Sequence, residues 1–167
     1  MTIRRAVTGD VRGIRRLIDL YSVERRLLTK ATVALFESVP EFVVAADQDG
    51  QIIGCGALHV MWEDLAEIRT VAVDPAARGR RIGHRIVTEL LASAGTLGVS
   101  RVFCLTFETA FFGAFGFRAI DGAPVPPKVY EELLRSYDEG VAEFLDLDRV
   151  KPNTLGNTRM LLHLDPR

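Results

Sequence analysis

The chain is short of the features that mark several functional classes. No apolar run approaches the roughly 20 residues needed to cross a bilayer. The opening Met1-Thr2-Ile3-Arg4-Arg5 lacks the apolar core of a secretion signal, so a cytoplasmic protein is expected. Charge of one sign is lacking as well. Lys and Arg total 21 against 22 Asp and Glu, a net −1, which gives no electrostatic support to a nucleic-acid or membrane-surface role. There are two cysteines, Cys55 and Cys104, both in strand-like stretches and without metal-ligand spacing. They read as buried thiols of a reducing compartment, and no metal is expected. Internal repeats, low-complexity tracts and linkers long enough to divide the chain are missing too, so residues 1–167 are expected to form a single domain.

What is present is 167 residues, 48% of them hydrophobic, enough to bury a real core. The most informative stretch runs from Glu67 to Leu97. Glu67-Ile68-Arg69-Thr70-Val71-Ala72-Val73 reads as a strand. Asp74 to Gly83 reads as a loop, and a helix follows from about His84 to Leu97. Ile82, Ile86, Val87, Leu90, Leu91 and Leu97 recur at a helical period, and Gly95 and Gly98 mark the helix end. A strand that turns into a helix offers unpaired amides and a partial positive charge, a setting that binds phosphate. Gly79 and Gly83 allow close backbone approach, and Arg78, Arg80 and Arg81 add positive charge, so Arg78-Gly79-Arg80-Arg81-Ile82-Gly83 reads as a pyrophosphate cradle. Neither a Walker A loop nor a G-x-G-x-x-G fingerprint is matched.

This hexapeptide resembles motif A of the GCN5-related N-acetyltransferases (GNAT). The resemblance implies that loop amides hold the pyrophosphate of acetyl-CoA and that Val71, Ala72 and Val73 bond its pantetheine arm and thioester. Arg81 departs from the pattern, standing where the family usually has glycine. A right-handed helical φ there would keep its amide available. Phe111-Phe112-Gly113-Ala114-Phe115-Gly116-Phe117 resembles the family's F-Y-x-x-x-G-F signature. The family's tyrosine often protonates the departing thiolate, but Phe112 beside the cofactor has no proton to give.

The remaining elements follow the family order. Residues 2–7 read as a strand. Thr8 or Asp10 caps a helix striped by Val11, Ile14, Leu17, Ile18 and Tyr21, and a second helix spans Ala31–Val39. A hairpin turns at Asp49-Gly50. Gly54 and Gly56 in the returning strand signal a bulge or a close backbone approach. His59 reads as a packed or edge histidine. The expected architecture is α/β (α+β): a mixed, mostly antiparallel sheet of about seven strands, with splayed central strands and flanking helices. Relative to a minimal fold of this kind, about residues 122–157 form an insertion, with a helix beginning at Pro126-Pro127 and then a long irregular segment.

Cys55–His59, Glu67–Val73, Phe103–Thr109 and Lys151–Arg159 together resemble the short bacterial amino-acid N-acetyltransferases, the N-acetylglutamate synthases of arginine biosynthesis. The resemblance implies transfer of acetyl from acetyl-CoA to the α-amino group of L-glutamate, with L-glutamine as an alternative acceptor, in a homodimer. A dicarboxylate needs cations, ideally bidentate arginines. Arg69 and Arg159, then Lys151 and Arg25, are the candidates. Glu67 is the candidate general base. Period-2 alternation puts Glu67, Arg69, Val71 and Val73 on one face unless a bulge resets the phase. An acyl-enzyme is not expected, because Cys104 has no recognisable histidine partner. Two rival readings stand. One is acetylation of another small amine, such as a polyamine, for which Glu63, Asp64, Glu108, Asp146 and Asp148 would serve. The other is a non-catalytic acetyl-CoA sensor.

Overall fold

Seven strands form one sheet in the order β1-β2-β3-β4-β5-β7-β6. In the computed structural model they are β1 Thr2–Arg5, β2 Phe42–Ala46, β3 Ile52–Trp62, β4 Leu65–Val73, β5 Arg101–Thr106, β6 Arg118–Ala119 and β7 Thr158–His163. The helices are α1 Val11–Ser22, α2 Thr32–Glu37, α3 Ile82–Thr96, α4 Thr109–Gly113, α5 Pro127–Leu133 and α6 Glu139–Phe144. The structure describes residues 1–22, 30–148, 150 and 156–164. Arg25 and Lys151, both candidate substrate cations, lie outside the described residues. The β4/β5 pair is parallel, while β1/β2, β2/β3, β5/β7 and β6/β7 are antiparallel, as expected of a mixed, mostly antiparallel sheet.

The chain divides into two compact units. The first comprises Met1–His59 and Ile68–Leu97. Its β2 is buried at every position, as a strand covered on both faces must be. Val11, Ile14, Leu17 and Ile18 of α1 and Leu35 of α2 pack with Phe42, Val44, Cys55, Ala57 and Ala72. Each fully buried Leu, Ile or Phe contributes about 1.5–3 kcal/mol. On α3, Ile82, Ile86, Val87, Leu90 and Ala94 are buried, but Leu97 is exposed because the helix has already ended at Thr96. A Cβ at Gly54 would meet Ile82 at 2.8 Å and Ile86 at 2.9 Å, and one at Gly56 would meet Ile86 at 2.8 Å. These two glycines therefore let α3 lie directly on β3. Asp10 accepts hydrogen bonds from the Val7 amide (2.8 Å) and from the Arg4 guanidinium (2.6 and 2.9 Å), which orders the turn into α1.

The second unit comprises Val60–Glu67 and Gly98–Arg167. Its core joins Met61, Leu65, Phe103 and Leu161 to Leu133 of α5 and to Val141, Phe144 and Leu145 in and just after α6. Phe103 and Phe144 meet edge to face with centroids 5.3 Å apart. Glu139–Phe144 thus form a helix where an irregular segment was expected. Asp138 caps α6 by accepting from the Val141 amide (3.1 Å), and all of Gly140–Phe144 is buried.

Candidate active site

In the first unit, the loop after β4 is shaped by local rules. Asp74 accepts from the Ala76 amide (3.0 Å), and Pro75 opens a 3-10 turn that ends at Ala77. Arg16 of α1 fixes Asp74 from the other side (2.7 Å) while donating to the Ile52 carbonyl (2.7 Å). The Arg16 guanidinium, with the Ala76 amide, holds the Asp74 carboxyl below the usual carboxylate range. The Tyr21 hydroxyl donates to the Val73 carbonyl (2.5 Å) and accepts from Arg78 (3.4 Å), so α1 secures the end of β4 and the start of the loop.

Gly79 has φ +80°, and a Cβ there would meet nothing within 4 Å, so the backbone itself faces open space. Arg81 has φ 56° and ψ 25° and occupies the N-cap of α3. The right-handed φ that would have kept its amide available is therefore not what forms. A left-handed arginine costs about 1–2 kcal/mol relative to glycine, the family's usual residue here. Helix α3 runs from Ile82 to Thr96, beginning two residues before the expected boundary at His84. It bonds Arg85 N–H to the Arg81 carbonyl (3.1 Å) and leaves the amides of its first residues without an intrahelical acceptor. A left-handed glycine facing open space, a helix N-terminus and three arginines are a chemically fitting donor set for a pyrophosphate.

The candidate residues on β4 sort themselves by a local backbone break. Thr70 has φ 58°, a conformation rare for a β-branched residue. Arg69 reaches Glu41 (3.4 Å), which also bonds His59 Nδ1 (2.8 Å). Burial raises the Glu41 carboxyl, but His59 and Arg69 outweigh it and hold Glu41 below its ordinary value. Val71 lies by contrast 3.4 Å from a Cβ built on Gly56, on the side of Ile86 and Leu90, while Ala72 joins the α1 and α2 core. Strict alternation therefore does not run through Arg69 to Val73: Thr70 resets the phase.

In the second unit, Glu67 closes the paired stretch of β4, opposite Phe103. It is only 5% exposed. A Cβ built on Gly140 would overlap its Oε2 and lie 2.9 Å from its Cδ, so Gly140 gives the carboxylate its room against α6. Glu143, one turn further along α6, is also 5% exposed. Burial pushes its carboxyl up to about 7, the Glu67 charge adding to this. Arg159 of β7 lies over the Phe103 ring (5.9 Å) and donates to the carbonyls of Gly122 (2.9 Å), Glu143 (3.2 Å) and Phe144. Nε and one terminal nitrogen of this candidate cation are thus engaged with backbone.

Phe112 is buried, edge-on to Phe111 (5.1 Å) and Phe117 (5.4 Å), as a packing residue would be. Both cysteines are buried: desolvation pushes the Cys55 thiol up to about 12, and desolvation with the Glu67 charge raises Cys104 too. Neither is a ready nucleophile. Among the described residues, no group of three or more His, Cys, Asp and Glu could hold a metal ion. The feature that the sequence reading missed is Glu143, whose only signal was its place among apolar residues in Val141-Ala142-Glu143-Phe144-Leu145.

The family model "Acetyltransferase (GNAT) family" matches residues 14–117. An amino-acid acetyltransferase of Mycobacterium tuberculosis is 58% identical over 164 residues, 97% of this chain and 94% of that protein. A crystal structure from the same organism, in complex with CoA and a second ligand, superposes with a TM-score of 0.95 at 57% identity. It covers 99% of this chain and 100% of that one. The amino-acid acetyltransferase of Neisseria meningitidis (strain Z2491) is 31% identical over 75% of this chain but only 29% of its own length. With its motif A loop, its seven-stranded mixed sheet and this family match, the chain belongs to the GNAT family of acetyltransferases.

Proposed function

We propose that the protein transfers the acetyl group of acetyl-CoA to the α-amino group of L-glutamate, with L-glutamine as the alternative acceptor, as the entry step of arginine biosynthesis. One observation carries the reading. A buried carboxylate, Glu67, lies on the strand that leads directly into a motif A loop with left-handed Gly79 and Arg81. The 58% identical amino-acid acetyltransferase and the CoA complex at TM-score 0.95 support it.

In the mechanism, amides of the loop and of the first turn of α3 hold the pyrophosphate, with Arg78, Arg80 and Arg81 adding charge. Glu67 takes a proton from the acceptor ammonium. The freed nitrogen lone pair attacks the acetyl carbonyl, and amides near Val71–Val73 polarise its oxygen. As the new C–N bond forms, the C–S bond breaks and CoA leaves as thiolate. Water or another group protonates it, since Phe112 cannot. Arg69 and Arg159 are the described cations proposed for the acceptor's carboxylates, and the chain works as a cytoplasmic homodimer.

The experiment is an acceptor screen that follows thiol release from acetyl-CoA. Glutamate or glutamine should raise the release and spermidine should not. The reverse pattern would assign a polyamine acceptor. Binding of acetyl-CoA without acceptor-dependent release would assign a sensor.

A further inference from the structure

The mechanism uses Glu67 but leaves a second buried carboxyl beside it without a task. Among the described residues, Glu143 is one of the few charged side chains that are almost wholly buried, and its Oε1 has no hydrogen-bond partner. Leaving a buried oxygen orphaned is costly, so a side chain that keeps one needs a reason. Position supplies the reason. Gly140 and Glu143 are three apart on α6 and share a face. Gly140 is the residue against which the Glu67 carboxylate is pressed. The face of α6 that receives Glu67 is therefore the face that carries Glu143.

We propose that Glu143 is a positioning residue for the transfer: its buried carboxyl sets the basicity of Glu67, and the two carboxyls take up the acceptor's proton as one unit. The inference rests on the assignment of Glu67 as base. Two carboxylates in one water-poor setting resist ionising together, so the first proton leaves easily and the second is held. With both ionised, Glu67 is a stronger base than a lone carboxylate. The acceptor's N–H bond then breaks, its electron pair stays on nitrogen, and the pair goes from two negative charges to one. A base is most useful when it titrates near the working pH. The groups acting on Glu143 fit this. Burial raises its carboxyl most, Glu67 of β4 and Glu139 and Asp146 on its own segment add to this, and Arg159 of β7 lowers it. Cys104 of β5, itself raised by Glu67, stays a neutral thiol.

The test is the pH dependence of kcat/KM with glutamate for the wild type, Glu143→Gln and Glu143→Asp, with Glu67→Gln alongside. The wild type should lose activity on acidification with a midpoint near 7. In Glu143→Gln that midpoint should fall by about one unit or more, the plateau should drop severalfold, and the KM for acetyl-CoA should stay put. Glu143→Asp should bring the limb back towards that of the wild type. A wild-type midpoint in Glu143→Gln, with Glu67→Gln inactive, overturns the pairing and leaves the base intact. An active Glu67→Gln overturns the base assignment and the pairing with it. Carbon-13 titration of the Glu143 carboxyl gives a readout that does not need the Glu143 variants to fold. Its midpoint should lie near 7 in the wild type and fall in Glu67→Gln; an ordinary carboxylate midpoint in the wild type overturns the proposal.

Discussion

Replacing Gly140 by alanine separates the work of Glu67 from the stability of the helix beneath it. A methyl group at position 140 would overlap Glu67 Oε2, lie 2.9 Å from its Cδ and 3.0 Å from the capping Oδ1 of Asp138. Overpacking of a filled interior costs about 1–3 kcal/mol. Two features reduce that here. The atoms met first are the tip of a rotatable side chain, and alanine gains up to about 1 kcal/mol over glycine in a helix. Net stability should therefore change by less than about 2 kcal/mol. The carboxylate, however, has to move by an amount on the order of 1 Å, and a misplacement of that size costs up to about 100-fold in rate. Urea denaturation reads the first quantity, and thiol release at saturating acetyl-CoA and glutamate reads the second. The variant should remain folded, bind acetyl-CoA normally and turn over at least tenfold more slowly. Wild-type turnover in a folded Gly140→Ala protein would mean that the carboxylate is either not displaced or not needed, and would rule out Glu67 as a closely positioned base.

Two further outcomes concern stability. Gly56→Ala should destabilise the protein by about 1–3 kcal/mol in urea titrations, since the new methyl meets the buried Ile86 and Leu90 side chains rather than a mobile tip. Glu143 should make stability fall as pH rises. Its carboxyl is held near 7 in the fold against about 4.3 in the unfolded chain, so the folded state binds the extra proton between these values. That stability is complete below the unfolded value and is lost as pH climbs through 7. Glu143→Gln should therefore be the more stable protein at pH 8, by on the order of 1–3 kcal/mol, with the difference shrinking towards pH 5.

How much of this was legible in the sequence depended on whether a residue obeyed a local rule. The stripe of α3 was legible because a period of 3.6 has one reading over Ile82, Ile86, Val87 and Leu90, all of which are buried. Gly54 and Gly56 were legible as a close approach because only a hydrogen fits beneath Ile82 and Ile86. The phase of β4 beyond Arg69 was not, because Thr70 adopts a left-handed φ that no local preference of threonine favours. Arg81 broke the same rule. Helix α6 escaped because it is only six residues long and because Glu143, a residue type expected at the surface, interrupts the apolar pattern while being buried itself. The roles of Arg69 and Arg159 could not be read from charge alone, since an arginine that grips Glu41 and one that grips carbonyls look alike in a sequence.

Everything proposed for the reaction turns on Glu67 removing the acceptor's proton for a direct transfer from acetyl-CoA. The most direct test of that role is Glu67→Gln, which keeps shape and removes the base, measured for both acetyl-CoA affinity by calorimetry and turnover with glutamate. Affinity should be unchanged and turnover should fall by about 10²–10⁴-fold. Turnover within a factor of about two of the wild type, at the same affinity, would contradict that role.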